Sequence, residues 1–219
     1  PEQILGWEQG PKDALNFPAR IVERFSPGGC DRALDLGCAV GRSSFELSRS
    51  AKEVVGIDFS HAFVAAAQSI GERGSMGVSR LEEGRVSSEV TVHLPEGVRP
   101  ERILFEQGDA MDLRRDLGSF DRVLAANLLC RLRDPRQCLE RLPDLVKPGG
   151  ELILTTPCTW LEEFTPPGNW PEQATLDWLK GALAPSFDLL EAHDEPFLIR
   201  ETARKFQWTV ALLTKWRRK

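Results

Sequence analysis

The stretch "ALDLGCAVGRSS" (33–44) constrains the fold of this chain more than any other segment. It reads as a buried strand, a turn of small residues and the start of a helix. Small residues in such a turn let the backbone come close to whatever lies beyond the strand end. The dinucleotide-binding version requires glycines at 37, 39 and 42. Here those positions hold Gly37, Ala39 and Arg42, so the pyrophosphate fingerprint fails. The pattern that fits is acidic-x-Gly-x-small-x-Gly: Asp35, Gly37, Ala39 and Gly41, with Cys38 as a small turn-filling residue.

The rest of the chain repeats that rhythm. Strand patterns at 32–37, 53–58, 102–109, 120–128 and 151–157 alternate with helix patterns at 42–51, 61–70 and 134–146. The unbroken apolar stretch of "FDRVLAANL" suits a strand covered on both faces. "DP" at 134–135 supplies an N-cap and a first-turn proline. This β-α repetition predicts an α/β fold, a mostly parallel sheet with helices on both faces. After a helix at 175–183 come strands at 186–192 and 206–216, joined by too few residues for a crossover helix. They should pair antiparallel, placing one antiparallel strand in a seven-stranded, otherwise parallel sheet. Residues 71–101, rich in Gly, Ser and Glu with one plausible strand at 90–94, interrupt the rhythm as a functional flap or a partly disordered insertion.

Composition narrows the partners. With 219 residues the chain is expected to form one domain, 1–219. A net charge of −5 argues against nucleic acid, and the one dense basic run, "KWRRK", is expected to be a solvated end. No apolar run is long enough to span a bilayer. Position 1 is Pro and no signal pattern follows, which suggests a trimmed chain or one domain of a longer polypeptide. Five cysteines without zinc spacing are expected to be reduced, mostly buried thiols of a cytoplasmic protein. Three scattered histidines offer no metal site.

The acidic-x-Gly-x-small-x-Gly turn resembles motif I of the class I S-adenosylmethionine (SAM)-dependent methyltransferases, with their Rossmann-like fold. A carboxylate near the turn can hold the ligand's α-amino group. A second acid at the end of strand two should accept both ribose hydroxyls, and Asp58, followed by Phe59, stands there. The resemblance implies that Asp109 and Ala110, after strand three, contact the adenine, and that Asn127, ending strand four, lines the passage to the methyl group.

The acceptor must be read from other segments. Ligands of such sheets bind beyond the carboxyl ends of the strands. Two loops should lie there: 157–170, with Trp160, Glu162 and Glu163, and 193–207, with Arg200, Glu201, Arg204 and Lys205. Acids and bases facing one cavity suit a zwitterionic amino-acid substrate. Arg200, with Arg204 second, is the candidate for its carboxylate. An ion pair of Arg200 with Glu201 or Glu195 that pins the hairpin is the alternative. Trp160 could stack on the acceptor ring or pack against the core. Of Glu162 and Glu163, one should face the pocket if the segment is extended.

"VVGIDFSHAFVAAAQ", "VLAANLLCRL", "TPCTWLEEFT" and "IRETARKFQWTVALLTKW" together with the turn closely resemble the C-terminal methyltransferase module of ovothiol-biosynthesis enzymes, over roughly 16–216. In those enzymes the module follows an iron-dependent sulfoxide synthase and methylates the imidazole π-nitrogen of 5-thiohistidine. The resemblance implies that activity, freestanding or fused to such a synthase, with SAM as cofactor and no metal. Glu162 or Glu163, with Glu201 in reserve, would then accept the proton of the other ring nitrogen. The alternatives are methylation of histidine, a protein histidine or another small amine, or a catalytically idle SAM-binding domain. The chain departs from the family pattern in having no tyrosine, and Cys158 stands where an aromatic is expected.

Overall fold

A computed structural model describes residues 12–219; residues 1–11 of the expected 1–219 domain lie outside the described residues. The helices are α1 (Phe17–Glu23), α2 (Arg42–Leu47), α3 (His61–Arg73), α4 (Pro135–Leu145) and α5 (Thr175–Leu183). The strands are β1 (Cys30–Leu36), β2 (Ala51–Asp58), β3 (Ser75–Glu83), β4 (Val86–His93), β5 (Ile103–Gln107), β6 (Phe120–Ala126), β7 (Val146–Thr156), β8 (Phe187–Arg200) and β9 (Phe206–Arg218). Seven strands form one sheet in the order β5-β2-β1-β6-β7-β9-β8. β1, β2, β5, β6 and β7 run parallel, and β9 runs antiparallel to both β7 and β8.

Strict alternation along the central strands sends side chains to two helix layers. Val123, Ala125, Leu152, Leu154 and Trp216 meet α4 and α5, through residues such as Leu139, Leu142, Trp178 and Leu183. Leu124, Ile153 and Leu213 meet Ile21 and Phe25 of the α1 region and Leu47 of α2. α3 seals the β5 edge with Val64, Ala67 and Ile70 around Phe45 and Phe105. α4 begins as its sequence dictates, with the Asp134 side chain accepting from the Arg136 N–H and Pro135 in the first turn.

Three expectations need correction. The strand expected at 186–192 runs on to Arg200, so most of the expected 193–207 loop is β-hairpin. The insertion is not loose chain: β3 and β4 pair as a separate antiparallel hairpin from Ser75↔His93 to Glu83↔Val86. The terminal "KWRRK" is not a solvated tail. It continues β9, where Trp216 is buried and Lys215 is buried against Glu151, 3.2 Å away. Arg217 reaches the same carboxylate, and Arg218 donates to Pro143 O and Ser186 O.

The hairpins set the surroundings of the carboxyl edge. Thr156, the last residue of β7, pairs with Leu212 of β9. The segments paired from Glu195↔Ala211 to Arg200↔Phe206 therefore overshoot that edge, by about 20 Å at strand rise. On the opposite side, α3 descends about 20 Å from the edge and β3 climbs back about 30 Å. The tips meet: the Ala203 N–H donates to Leu81 O at 2.9 Å. Two hairpins from opposite sides of the sheet thus arch over its carboxyl edge.

Candidate active site

Beneath this arch lie the ends of β1, β2, β5, β6 and β7. Non-glycine residues rarely adopt positive φ, and where they do the backbone is held by its surroundings. Ala39 (φ 47°), Asn127 (φ 53°) and Cys158 (φ 55°) all do so here, just past β1, β6 and β7. The Asn127 N–H donates to Thr155 O at 2.8 Å, and the Thr155 hydroxyl donates to its Oδ1 at 3.0 Å. The Cys158 N–H donates to Thr156 Oγ1 at 3.1 Å.

The glycine turn is tied to strand two. The N–H groups of Gly37 and Cys38 donate to Ile57 O, and the Ala39 N–H donates to Asp58 Oδ2 at 2.8 Å. Asp58 Oδ1 accepts from the Ser60 N–H at 2.9 Å. Gly41 has φ +85°, and a Cβ there would lie 2.6 Å from the Phe105 ring, so only glycine fits. Asp35 is fully buried and accepts from the Ser44 hydroxyl at 2.7 Å. Burial, with the nearby Asp58 charge adding to it, pushes its carboxyl up to about 7. Asp35 thus braces the turn against α2 from below and does not face the space above the turn. Burial likewise raises the Cys38 thiol, so Cys38 fills the turn as an inert neutral group.

Around the edge, Phe59 is 71% exposed directly after Asp58, an unusual position for a large ring. Asp109 Oδ1 accepts from the Met111 N–H at 2.8 Å, and Ala110 is buried beside it.

In the two loops expected to line the acceptor, the residues separate. Trp160 is half-buried, donates to Thr175 Oγ1 at 3.2 Å and sits edge-on to Trp178 at 5.8 Å. Packing against α5 is therefore its settled contact. Glu162 and Glu163 lie together in a turn, not in extended chain, and both are exposed. The reason for expecting only one to face inward therefore falls away. Phe164 beside them stacks under the Arg131 guanidinium at 4.4 Å, and the buried Thr165 hydroxyl donates to Leu132 O. Glu201 pairs with Lys205. Arg200 pairs with neither Glu201 nor Glu195. Its Nε donates to Thr202 O at 3.0 Å and its Nη2 to Ala203 O at 2.9 Å, holding the hairpin tip, with its Cζ 5.2 Å from the Phe206 ring. Glu195 is buried between Arg20, Arg24 and His193, binding α1 to β8. Arg204 lies at the exposed tip, its N–H donating to Thr202 Oγ1 at 3.2 Å.

Sequence reasoning missed the inner face of β3. Met76 packs on the α3 cluster, so alternation turns Val78, Arg80 and Glu82 the same way. Arg80 donates to Glu82 Oε1 through Nε (2.8 Å) and Nη2 (2.6 Å), and the Ser88 hydroxyl donates to the same oxygen. The period-two pattern of "MGVSRLEE" was the available signal, masked by charges on both faces. Among the described residues no group of His, Cys, Asp and Glu could hold a metal ion, and no helix is long and apolar enough to cross a membrane.

Residues 34–154, more than half of the chain, match the methyltransferase domain family. The chain is similar to a demethylmenaquinone methyltransferase of Clavibacter sepedonicus, 29% identical over 74% of this chain and 52% of that protein. It is 30% identical to a ubiquinone biosynthesis O-methyltransferase of Xanthomonas axonopodis pv. citri over 68% of this chain and 52% of that one. The chain thus spans about half the length of these curated relatives. Among solved structures, the N-methyltransferase NodS of Bradyrhizobium japonicum WM9, in complex with S-adenosylhomocysteine, superposes with a TM-score of 0.61 at 17% identity. That match covers 91% of this chain and 85% of the other and shows the shared fold.

Proposed function

The chain belongs to the methyltransferase domain family and is a SAM-dependent methyltransferase; on that premise we propose that it methylates the imidazole π-nitrogen of 5-thiohistidine, a step of ovothiol biosynthesis. The observation that carries this reading is the convergence of its two most specific segments. "TPCTWLEEFT" leaves the end of β7 at Thr156, and "IRETARKFQWTVALLTKW" supplies β9, whose Leu212 pairs with that same Thr156. Distant in sequence, they flank one strand end on the acceptor side.

The residues at the turn fit SAM. Asp58 uses one lone pair on each oxygen for backbone N–H groups, and a carboxylate has about four such sites, leaving room for two ribose hydroxyls. Gly37, Ala39 and Gly41 keep the turn free of side-chain bulk. Phe59 offers an exposed ring face, and Asp109 and Ala110 form a polar and apolar pair suited to adenine. Cys38 completes the turn, and Asn127 stands at the neighbouring strand end. Bound there, the cofactor supplies an electrophilic methyl on a sulfonium and leaves as S-adenosylhomocysteine.

The share of the chain's own residues is positioning, which can contribute on the order of 7–11 kcal/mol at most. The acceptor carries two ring nitrogens and a thiolate, the better nucleophile, so the walls must turn the sulfur away. Glu162 or Glu163 would hold the proton of the other ring nitrogen and stabilise the imidazolium as it forms. Glu201 is the weaker candidate because Lys205 holds it. Trp160 contributes a wall fixed by Trp178, while Arg200 and Arg204 shape the hairpin tip above the acceptor's charged end. The partner module is a sulfoxide synthase, fused or separate, since 5-thiohistidine must be supplied by a sulfur-inserting reaction. The free thiols suit a reducing compartment, which we take to be the cytoplasm.

Turnover measured as S-adenosylhomocysteine release on 5-thiohistidine, histidine and a histidine-containing peptide tests the reading. Preference for 5-thiohistidine is expected. Equal or better turnover on histidine or the peptide reassigns the acceptor, and SAM binding without release on any of them removes the activity.

A further inference from the structure

The two hairpins bring together charges that neither needs for its own strand pairing. Arg80 and Glu82 come from β3, Ser88 from β4 and Arg200 from the end of β8. Arg200 is close enough to feel both Arg80 and Glu82, and the like charge of Arg80 helps to lower its pKa after burial. The Glu82 carboxylate is thus held by Arg80, with the Arg200 charge near enough to act on both. The Ser88 hydroxyl and the Arg80 guanidinium hold the Glu82 carboxyl below its usual range, so it stays ionised. All three of its donors converge on Oε1. Among the described residues Glu82 Oε2 receives no hydrogen bond, and the Nη1 groups of Arg80 and Arg200 donate none. The result is a held carboxylate with one free oxygen beside the Arg80 guanidinium, part-exposed on the inner face of the arch, with the Arg200 charge nearby.

We propose that this junction binds the charged end of an amino-acid acceptor, with Glu82 Oε2 accepting from its α-ammonium and the Arg80 guanidinium, beside Arg200, donating to its α-carboxylate. The assignment rests on the amino-acid acceptor proposed above and adds the insertion hairpin to the binding site. Arg80 and Glu82 are prealigned by each other, so the ligand need not order them. The substrate then bridges the parts of the arch, and its ring end is left toward Asn127 and the 157–170 loop.

The test uses the full chain in its S-adenosylhomocysteine complex, with acceptor affinity measured by calorimetry. The probes are 5-thiohistidine, its decarboxylated amine, its deaminated acid and the same three forms of histidine. Charged hydrogen bonds of this kind are worth about ten- to a hundredfold in affinity. Glu82→Gln should weaken forms that carry the ammonium by about tenfold or more and leave the deaminated acid within twofold. Arg80→Gln should weaken forms that carry the carboxylate and leave the decarboxylated amine within twofold. S-adenosylhomocysteine affinity should not change in either variant. Equal losses across all three forms, as expected from a purely structural role in the arch, or no loss at all, overturn the proposal. If only the histidine series binds and shows the crossed pattern, the 5-thiohistidine reading falls and the junction stands. If neither series binds the wild-type complex, both fall.

Discussion

The backbone N–H of Ala39 lies 2.8 Å from Asp58 Oδ2, so the carboxylate at the end of β2 is what fixes the shape of the turn after β1. The same group is proposed to take the ribose hydroxyls, and the two tasks are linked. Asp58→Ala should reduce S-adenosylhomocysteine affinity by about tenfold or more, from the loss of charge-assisted hydrogen bonds. Calorimetry reads the affinity, and an unchanged value contradicts the assignment.

Asp35 should leave a mark on stability against pH. Its folded pKa, about 7, lies above the ordinary 3.8 because burial disfavours the charge. Between those values the folded chain holds the proton more tightly than the unfolded chain. The stability contributed by this group is therefore complete at acid pH and is lost as pH rises through about 7. Asp35→Asn removes the dependence while keeping an oxygen for the Ser44 hydroxyl. Urea unfolding at pH 5 and pH 8 should show the variant gaining on the wild type at the higher pH, on the order of a few kcal/mol. Parallel profiles contradict this account.

Gly41→Ala should damage both folding and cofactor binding. The φ of +85° strains any L-residue, and the added methyl would sit 2.6 Å from Phe105 Cζ and 3.2 Å from Ala67. A loss of about 2–3 kcal/mol is expected in chemical unfolding. An unchanged midpoint would show that the turn can relax away from α3 and β5.

The buried Glu195 offers a test away from the edge. Arg20, Arg24 and His193 converge on it, and Arg20 also donates to Leu15 O and Pro196 O. Glu195→Ala leaves the Arg20 and Arg24 guanidiniums facing an emptied site and should cost about 3–5 kcal/mol. The expected measurement is an early unfolding transition with α1 exchanging its amides faster than β1. A neutral result would show that α1 does not depend on this anchor.

Much of the fold could be read from local pattern. Apolar runs ending in Gly or Asp marked β1 and β2, Asp134–Pro135 marked the start of α4, and Thr175–Leu183 matched its helix to the residue. The short connection expected between strands at 186–192 and 206–216 foretold their antiparallel pairing, although β8 itself runs on to Arg200. β3 escaped because its hairpin lies outside the main sheet, with neither face fully buried, so its hydrophobic signal is weak. The "KWRRK" misreading has a similar cause: the salt bridge that buries Lys215 comes from Glu151, on a strand distant in sequence. At the site, the turn and the place of Asp58 at the end of β2 were legible because their spacing is local, whereas the burial of Asp35 against Ser44 was not. The backbone partners of Arg200 lie two and three residues away and were hidden by the shape of its own hairpin tip, whereas the approach of Arg80 to that tip was hidden because it depends on two hairpins meeting from opposite sides of the sheet.

The account rests most directly on where the methyl group goes. Incubation with 5-thiohistidine and SAM carrying a carbon-13 methyl, followed by heteronuclear correlation of the product, locates it. The account predicts one N-methyl signal, correlated through the imidazole π-nitrogen to the side-chain-bearing ring carbon. A methyl on sulfur, on the other ring nitrogen or on no product at all would contradict it.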